Sequence, residues 1–290
     1  MKLKPKYRGI FFILLAAFFF ACMNVCVRWA GDVPTIQKSF FRNIVAFSIA
    51  AYVIIKNGNG FRPENTKNWP LFFARSLFGT FGILCNFYAV DHLLLSDASM
   101  LNKMSPFFAI IASYFLLKEK IHWQQAFVIL GAFVGMLFVV KPSFYNVDIF
   151  PAIIGVCGGM CAGTAYTFVR KLGTVGEKGP LIVFVFSGFS CLVALPFLIF
   201  DFHPMNLTSW ISLFGAGLCA AGGQFSVTAA YCNAPAKEIS VYDYSQVIFS
   251  AILGFFIFGD IPDGLSFVGY FIICAMAIVN FLMKLKSEDK

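Results

Sequence analysis

Lys103 and Asp243 each lie about seven residues inside a long apolar run. A charged side chain at the centre of a bilayer costs roughly 2.5–3.5 kcal/mol on insertion scales, so it ordinarily faces a partner or a wet cavity. A lysine there can bind an anionic group, and an aspartate a cationic one. The two can also pair with each other and hold no ligand. Asp243 is a further candidate for carrying a coupling proton, because burial disfavours the charged carboxylate.

Neither residue is isolated. Ser99, Asn102, Lys103, Pro106 and Ser113 share one broad face at helical spacing, as do Ser240, Asp243, Tyr244 and Gly254. Arg75, Gly79, Gly82 and Asn86 make a third stripe, and Gly217, Gln224, Thr228 and Tyr231 a fourth. Asn24 and Arg42 add polar groups to two further runs. These stripes define the candidate substrate-binding set: Asn24, Arg42, Arg75, Asn86, Ser99, Asn102, Lys103, Gln224, Asp243 and Tyr244. For Arg42 and Arg75, each about a turn inside its run, substrate access and interfacial anchoring are both open. Arg28 and Arg170 fall near run ends, where long cations reach for the interface. Glu119, between Lys118 and Lys120, reads as part of a solvated charge cluster. No catalytic constellation, metal-ligand spacing or cofactor motif is visible.

The elements that must hold these residues are membrane helices. Of the 290 residues, 59% are hydrophobic and 12% charged, and 38 are Phe. A typical soluble domain has about 25% charged residues. A span needs about 20 apolar residues, and ten candidates occur, near 8–30, 37–56, 69–91, 96–117, 121–140, 150–170, 179–200, 208–231, 237–258 and 264–284. Residues 1–30 read as the first span rather than as a signal peptide. The connections are short, which leaves no room for a nucleotide- or nucleic-acid-binding domain. With the N-terminus inside, the inner connections collect most of the basic residues, and the outer ones receive only Lys38 and Lys141. That bias places both termini in the cytoplasm. All four tryptophans fall at predicted helix ends, where the amphipathic ring prefers the headgroup zone. The nine cysteines all lie in predicted spans and read as packing residues. Gly155, Gly159 and Gly163, like Gly131 and Gly135, read as surfaces for close helix approach. Pro106 should kink the fourth helix beside Lys103.

The chain also matches itself weakly at an offset of about 141–142 residues: Val27-Arg28 with Val169-Arg170, Gly82…Ala89 with Gly223…Ala230, and Ser99…Glu119 with Ser240…Asp260. In that register Asn102 aligns with Asp243. Depth arithmetic places Lys103 and Asp243 roughly 10 Å apart along the membrane normal. Five spans per half make the halves (1–145 and 146–290) inverted in the membrane, an arrangement that recurs in secondary transporters.

The stretch Tyr88-Ala-Val…Leu101-Asn-Lys-Met-Ser-Pro106-Phe-Phe…Leu116-Leu-Lys-Glu119-Lys, followed by Gly131…Gly135…Val140-Lys-Pro142, resembles the signature of the EamA family of the drug/metabolite transporter superfamily. Arg42 and Arg75 are similar to arginines often found in that family. The second half departs from the pattern, with Val247 where the proline would recur and Asp260 in place of the glutamate. The resemblance implies an all-α integral membrane protein of ten helices in two inverted five-helix repeats, working by alternating access around a central cavity.

The expected function is secondary active transport of a small polar or zwitterionic, amino-acid-like metabolite; the alternative is a lipid-like or amphipathic substrate. No GxxxxGK[ST] loop is present, so coupling falls to an ion gradient, exchange or the substrate's own gradient. An intramembrane aspartyl protease is excluded by geometry. Asp243 and Asp260 would be ~25 Å apart on one helix, while a proton-sharing dyad needs about 3 Å. The expected partners are a small-molecule substrate, membrane lipid, a coupling proton and a second copy of the chain; nucleic acid and cofactors are not expected. The bacterial inner membrane is the expected location.

Overall fold

The computed structural model describes the backbone of residues 5–58, 60–93, 101–120, 123–141, 149–259 and 261–286. Among these residues there are ten helices and no strand. They are α1 (Pro5–Trp29), α2 (Thr35–Lys56), α3 (Trp69–His92), α4 (Ser105–Leu117), α5 (Trp123–Val140), α6 (Ile149–Thr174), α7 (Gly179–Phe200), α8 (Leu207–Asn233), α9 (Ala236–Phe258) and α10 (Gly264–Lys286). At least eight of them, α1, α2 and α5 to α10, are long and apolar enough to cross a membrane. The chain is an integral membrane protein.

Helix starts follow local chemistry. α3 and α7 begin with proline in the first turn, where the missing N–H costs nothing. Asn206 caps α8 by accepting from the Ser209 amide at 2.7 Å. The expected continuous ninth span is in three pieces: a helical turn Ala236–Ile239, a 3-10 segment Ser240–Tyr244, and the helix Ser245–Phe258. The fourth is broken as well. Leu101 and Asn102 are helical, Lys103 and Met104 form a turn, and α4 restarts at Ser105. The expected kink at Pro106 is thus a break just before it. Proline is tolerated in a first turn but not in a helix interior.

The polarity of the bundle is inverted relative to a soluble protein. Phe115, Phe256 and Phe271 are at least 73% exposed, as suits a lipid-facing surface. Ser187, Thr167, Gln224 and Tyr244 are buried with small residues such as Ala16 and Ala220. α1 packs along α8 and α3 along α6; α2 lies against α7 and α8; α7 also touches α3. α4 rests on α6, the Ser245–Phe258 part of α9 rests on α1, and α5 pairs with α10. Glycines permit the closest approaches. A Cβ on Gly159 would lie 2.6 Å from the Leu101 carbonyl oxygen, and one on Gly163 2.5 Å from that of Ser105. The glycine ladder of α6 therefore seats the broken backbone of the fourth span. Gly135 and Gly269 abut each other in the same way between α5 and α10.

Side chains tie the helix ends together. On the face of the α2–α3 connection, buried Glu177 accepts from the Glu64 and Asn65 amides and from the Asn68 side chain, at 3.1, 3.4 and 2.6 Å. On the opposite face, Gln37 exchanges two hydrogen bonds with the His203 backbone, at 2.9 and 3.0 Å. Lys141, at the end of α5, pairs with Asp263, whose carboxylate also caps α10 by accepting from Ser266.

Candidate functional site

The two helix breaks meet. Lys103 Nζ lies 3.1 Å from Asp243 Oδ2 and donates to Gln246 Oε1 at 2.7 Å. The Tyr244 hydroxyl donates to the Lys103 carbonyl at 3.1 Å. That bond satisfies a carbonyl at the turn in the fourth span, and such groups are costly when left unpaired in a membrane. The ion pair is not sealed: its side chains remain 16% and 17% exposed. The expected separation of roughly 10 Å is therefore replaced by direct contact. A 3-10 segment rises ~2.0 Å per residue against ~1.5 Å in an α-helix, which carries Asp243 deeper. The turn at Lys103 redirects its long side chain towards it.

Tyrosines surround the pair. Tyr166 on α6 stacks on Tyr231 of α8, with centroids 4.9 Å apart and planes 10° from parallel. Tyr231 and Tyr244 are buried, and the Asp243 carboxylate is in electrostatic reach of all three phenols. Tyr166 also lies within reach of Arg42 and Arg75, and those two arginines feel each other's charge. The Arg75 guanidinium stands 4.0 Å over the Phe186 ring, and that of Arg42 6.0 Å from Phe20. On α8, Gln224 and Thr228 are buried, with the Gln224 Oε1 and the Thr228 hydroxyl unpaired among the described residues.

Of the sequence-derived candidates, Lys103, Asp243 and Tyr244 are brought into contact, and Arg42 and Arg75 approach them through Tyr166. Gln224 lines α8 without a partner for its side-chain oxygen. Asn102 sits half-buried at the break, and Asn86 half-buried where α3 crosses α6 at Gly158. Asn24 is exposed on α1. Ser99 lies outside the described residues. Gln246 and Tyr166 were missed. Gln246 stands three residues past Asp243 in an otherwise apolar run and carried a usable signal. Tyr166 carried none, since an isolated tyrosine among small residues reads as packing.

Two end residues differ from expectation. Arg170 does not reach for the interface. It pairs with Glu119 at 3.5 Å and donates to the Tyr231 and Cys232 carbonyls at 3.5 and 3.2 Å. Both partners are largely buried, with side chains 18% and 20% exposed, so Glu119 is not in a solvated cluster. The unpaired carbonyls at a helix C-terminus attract a cation, and α8 ends there. Arg28 lies 4.0 Å over Phe258 at the end of α9.

The sequence is 30% identical to the pseudopaline exporter CntI of Pseudomonas aeruginosa over 93% of this chain and 94% of that one. It is 25% identical to a riboflavin transporter of Vibrio cholerae, over 92% and 90%. It is also 25% identical to solute carrier family 35 member G1 of Mus musculus, over 88% and 73%. A chain of known crystal structure superposes with a TM-score of 0.83 at 15% identity, covering 97% of this chain and 98% of that one. The sequence profile of the EamA-like transporter family matches twice, over residues 7–141 and 149–282, and the chain belongs to that family.

Proposed function

We propose that the protein is a secondary active transporter that carries a small polar or zwitterionic, amino-acid-like metabolite by alternating access through a central cavity. The observation that carries this reading is the Lys103–Asp243–Gln246 cluster, set where two broken spans meet and left partly open. Discontinuous helices at the repeat interface are where transporters of this general build hold their substrates. Relatives named as exporter and transporters of small molecules support a small-molecule cargo.

The two halves, 1–145 and 146–290, act as inverted repeats in this reading. The helix pairing supports it, because adding five to each helix number, modulo ten, returns three of the pairings: α1 with α8 and α6 with α3, α1 with α9 and α6 with α4, α2 with α8 and α7 with α3. The end contacts follow the same rule. Arg28 and Arg170 are 142 positions apart, and Lys118 and Gly259, both left-handed helix-ending residues, are 141 apart. Both termini lie in the cytoplasm and the membrane is the bacterial inner membrane. The Asp243 carboxylate is the candidate for proton coupling.

A lipid-like cargo has less to stand on. An apolar groove between α2 and α8 is lined by Ile44, Val45, Ser48, Ile49, Tyr52, Phe214 and Leu218. The Ser48 hydroxyl is turned back to the Ile44 carbonyl at 2.8 Å, so it offers little to a headgroup.

A thermal-shift screen of the purified protein tests the proposal, using amino acids, polyamines, S-adenosylmethionine, nucleotides and sugars. A dose-dependent rise with one class, lost in Lys103→Ala, is expected. Wild-type response in both Lys103→Ala and Asp243→Ala overturns the site.

A further inference from the structure

The charges inside the bundle do not cancel. Asp243 is the acid set deepest in a described span; the others described lie in connections or at helix ends. Lys103 holds it at 3.1 Å. Among the described residues, Arg42 and Arg75 have no acidic partner. Neither makes a hydrogen bond among the described residues, and the Nε of each is buried and unpaired. Arg75 is only 3% exposed. Aromatic faces stand near both guanidinium groups, but Phe20 and Phe186 bring no charge. A buried cation that lacks a hydrogen-bonding partner is strongly disfavoured, and two within reach of each other add repulsion. Arg42 is half-buried by surface area, so part of its side chain stays open to a ligand. Tyr166 is half-buried as well. The unpaired Gln224 oxygen and Thr228 hydroxyl add acceptor capacity on α8 for a substrate's own donors. The half-helix Ser105–Leu117 starts at the break and turns its partially positive end towards the Lys103 turn.

We infer that the cargo is a net anion whose carboxylate or phosphate oxygens are taken by Arg42 and Arg75, while the Lys103–Asp243 pair engages a second polar group of the same molecule. This rests on the transport reading above and narrows its substrate class from zwitterion to acid. The planar fork of a guanidinium matches either oxyanion, and two forks can share one or hold one each. Bound oxyanion would satisfy both orphaned Nε groups and relieve the repulsion between the arginines.

The test uses the full-length protein in detergent and four probes: glutarate, glycerol 3-phosphate, glutamine and putrescine. Glutarate or glycerol 3-phosphate should raise the melting temperature and bind by calorimetry, and which of the two does so separates carboxylate from phosphate. Glutamine and putrescine should bind at least tenfold more weakly. Arg42→Gln and Arg75→Gln should each weaken anion binding about 10- to 100-fold, the range expected for losing charged hydrogen bonds. Without ligand, each variant should melt at or above the wild-type temperature, because an unpartnered buried cation has been removed. A fall in ligand-free melting temperature with unchanged binding would make the arginines structural and overturn the inference. So would binding of glutamine or putrescine that survives both arginine changes. If that binding is still lost in Lys103→Ala, the cavity stands and only the anionic cargo fails. If no variant affects the binding of any probe, the site reading fails with it. Absence of response to both anions also overturns the inference.

Discussion

Asp243 is held by Lys103 alone among the charged groups described, and that sets what its removal does. Asp243→Asn leaves Lys103 with Gln246 as its partner, and the lysine becomes a third uncompensated cation. Breaking a buried pair costs about 3–5 kcal/mol, and the partial exposure of this one puts it at the lower end. A lower melting temperature and loss of transport in liposomes are expected for Asp243→Asn. The exchange Lys103→Asp with Asp243→Lys should restore much of the stability but not transport, because Tyr166, Arg42 and Arg75 would then face the wrong sign. Wild-type flux in the exchanged protein would show that the polarity of the pair is immaterial. These two residues were legible in the sequence because lipid makes an intramembrane charge conspicuous. Their contact was not, because it depends on backbone breaks that residue spacing on an ideal helix cannot express. Tyr166 acts here through its position alone, which the sequence does not encode locally.

The broken spans depend on what they rest against. Gly163 faces the Ser105 carbonyl and the Ala109 amide, with no flexible side chain able to yield. Gly163→Val should destabilise by at least the 1–3 kcal/mol of ordinary overpacking, read as a drop in melting temperature, whereas Gly176→Val, in a surface turn with open space but a left-handed backbone, strains only its own turn. Gly79 differs again, since a Cβ there collides with the Arg75 guanidinium and the Phe186 ring. Gly79→Ala should displace Arg75 and weaken substrate binding more than it lowers the melting temperature; equal losses would tie Gly79 to packing alone. Lys118 ends α4 in the left-handed region that its counterpart Gly259 adopts freely. Lys118→Gly should therefore stabilise by about 1 kcal/mol. Span positions and glycine faces were readable because each is a short-range pattern. The break at Lys103 was half-readable: Pro106 announced a disturbance, and only the preference of proline for a first turn decides on which side it falls.

Across the bundle, the halves are joined at both faces, and one of those joints responds to pH. The Lys141 ammonium and the Ser266 donors hold the Asp263 carboxyl from its usual 3.8 down to about 2. A depressed carboxylate stabilises the fold above its unfolded value, and the contribution disappears as pH falls through the folded one. The melting-temperature difference between wild type and Asp263→Ala should be constant from pH 8 to pH 5 and close as pH approaches 2. A difference that instead closes between pH 8 and pH 6 would place the effect on another group. Ten helices and their order could be read from hydropathy. Which helices touch could not, because pairing is set by small-residue faces whose partners lie about 60 to 225 positions away.

The partners of Lys103 lie 140 and 143 residues downstream. At ribosomal speeds of about 5–20 residues per second, on the order of ten seconds pass between their syntheses. During that interval the nascent first half must hold Lys103 in or beside the bilayer without its acid. It must also hold α4, whose 13 residues cover only ~20 Å of a ~30 Å core. Insertion of the early helices is therefore provisional and is completed only when α9 arrives. Residues 1–145 made alone should be a ready target for membrane quality-control proteases, and supplying residues 146–290 as a separate chain should protect them.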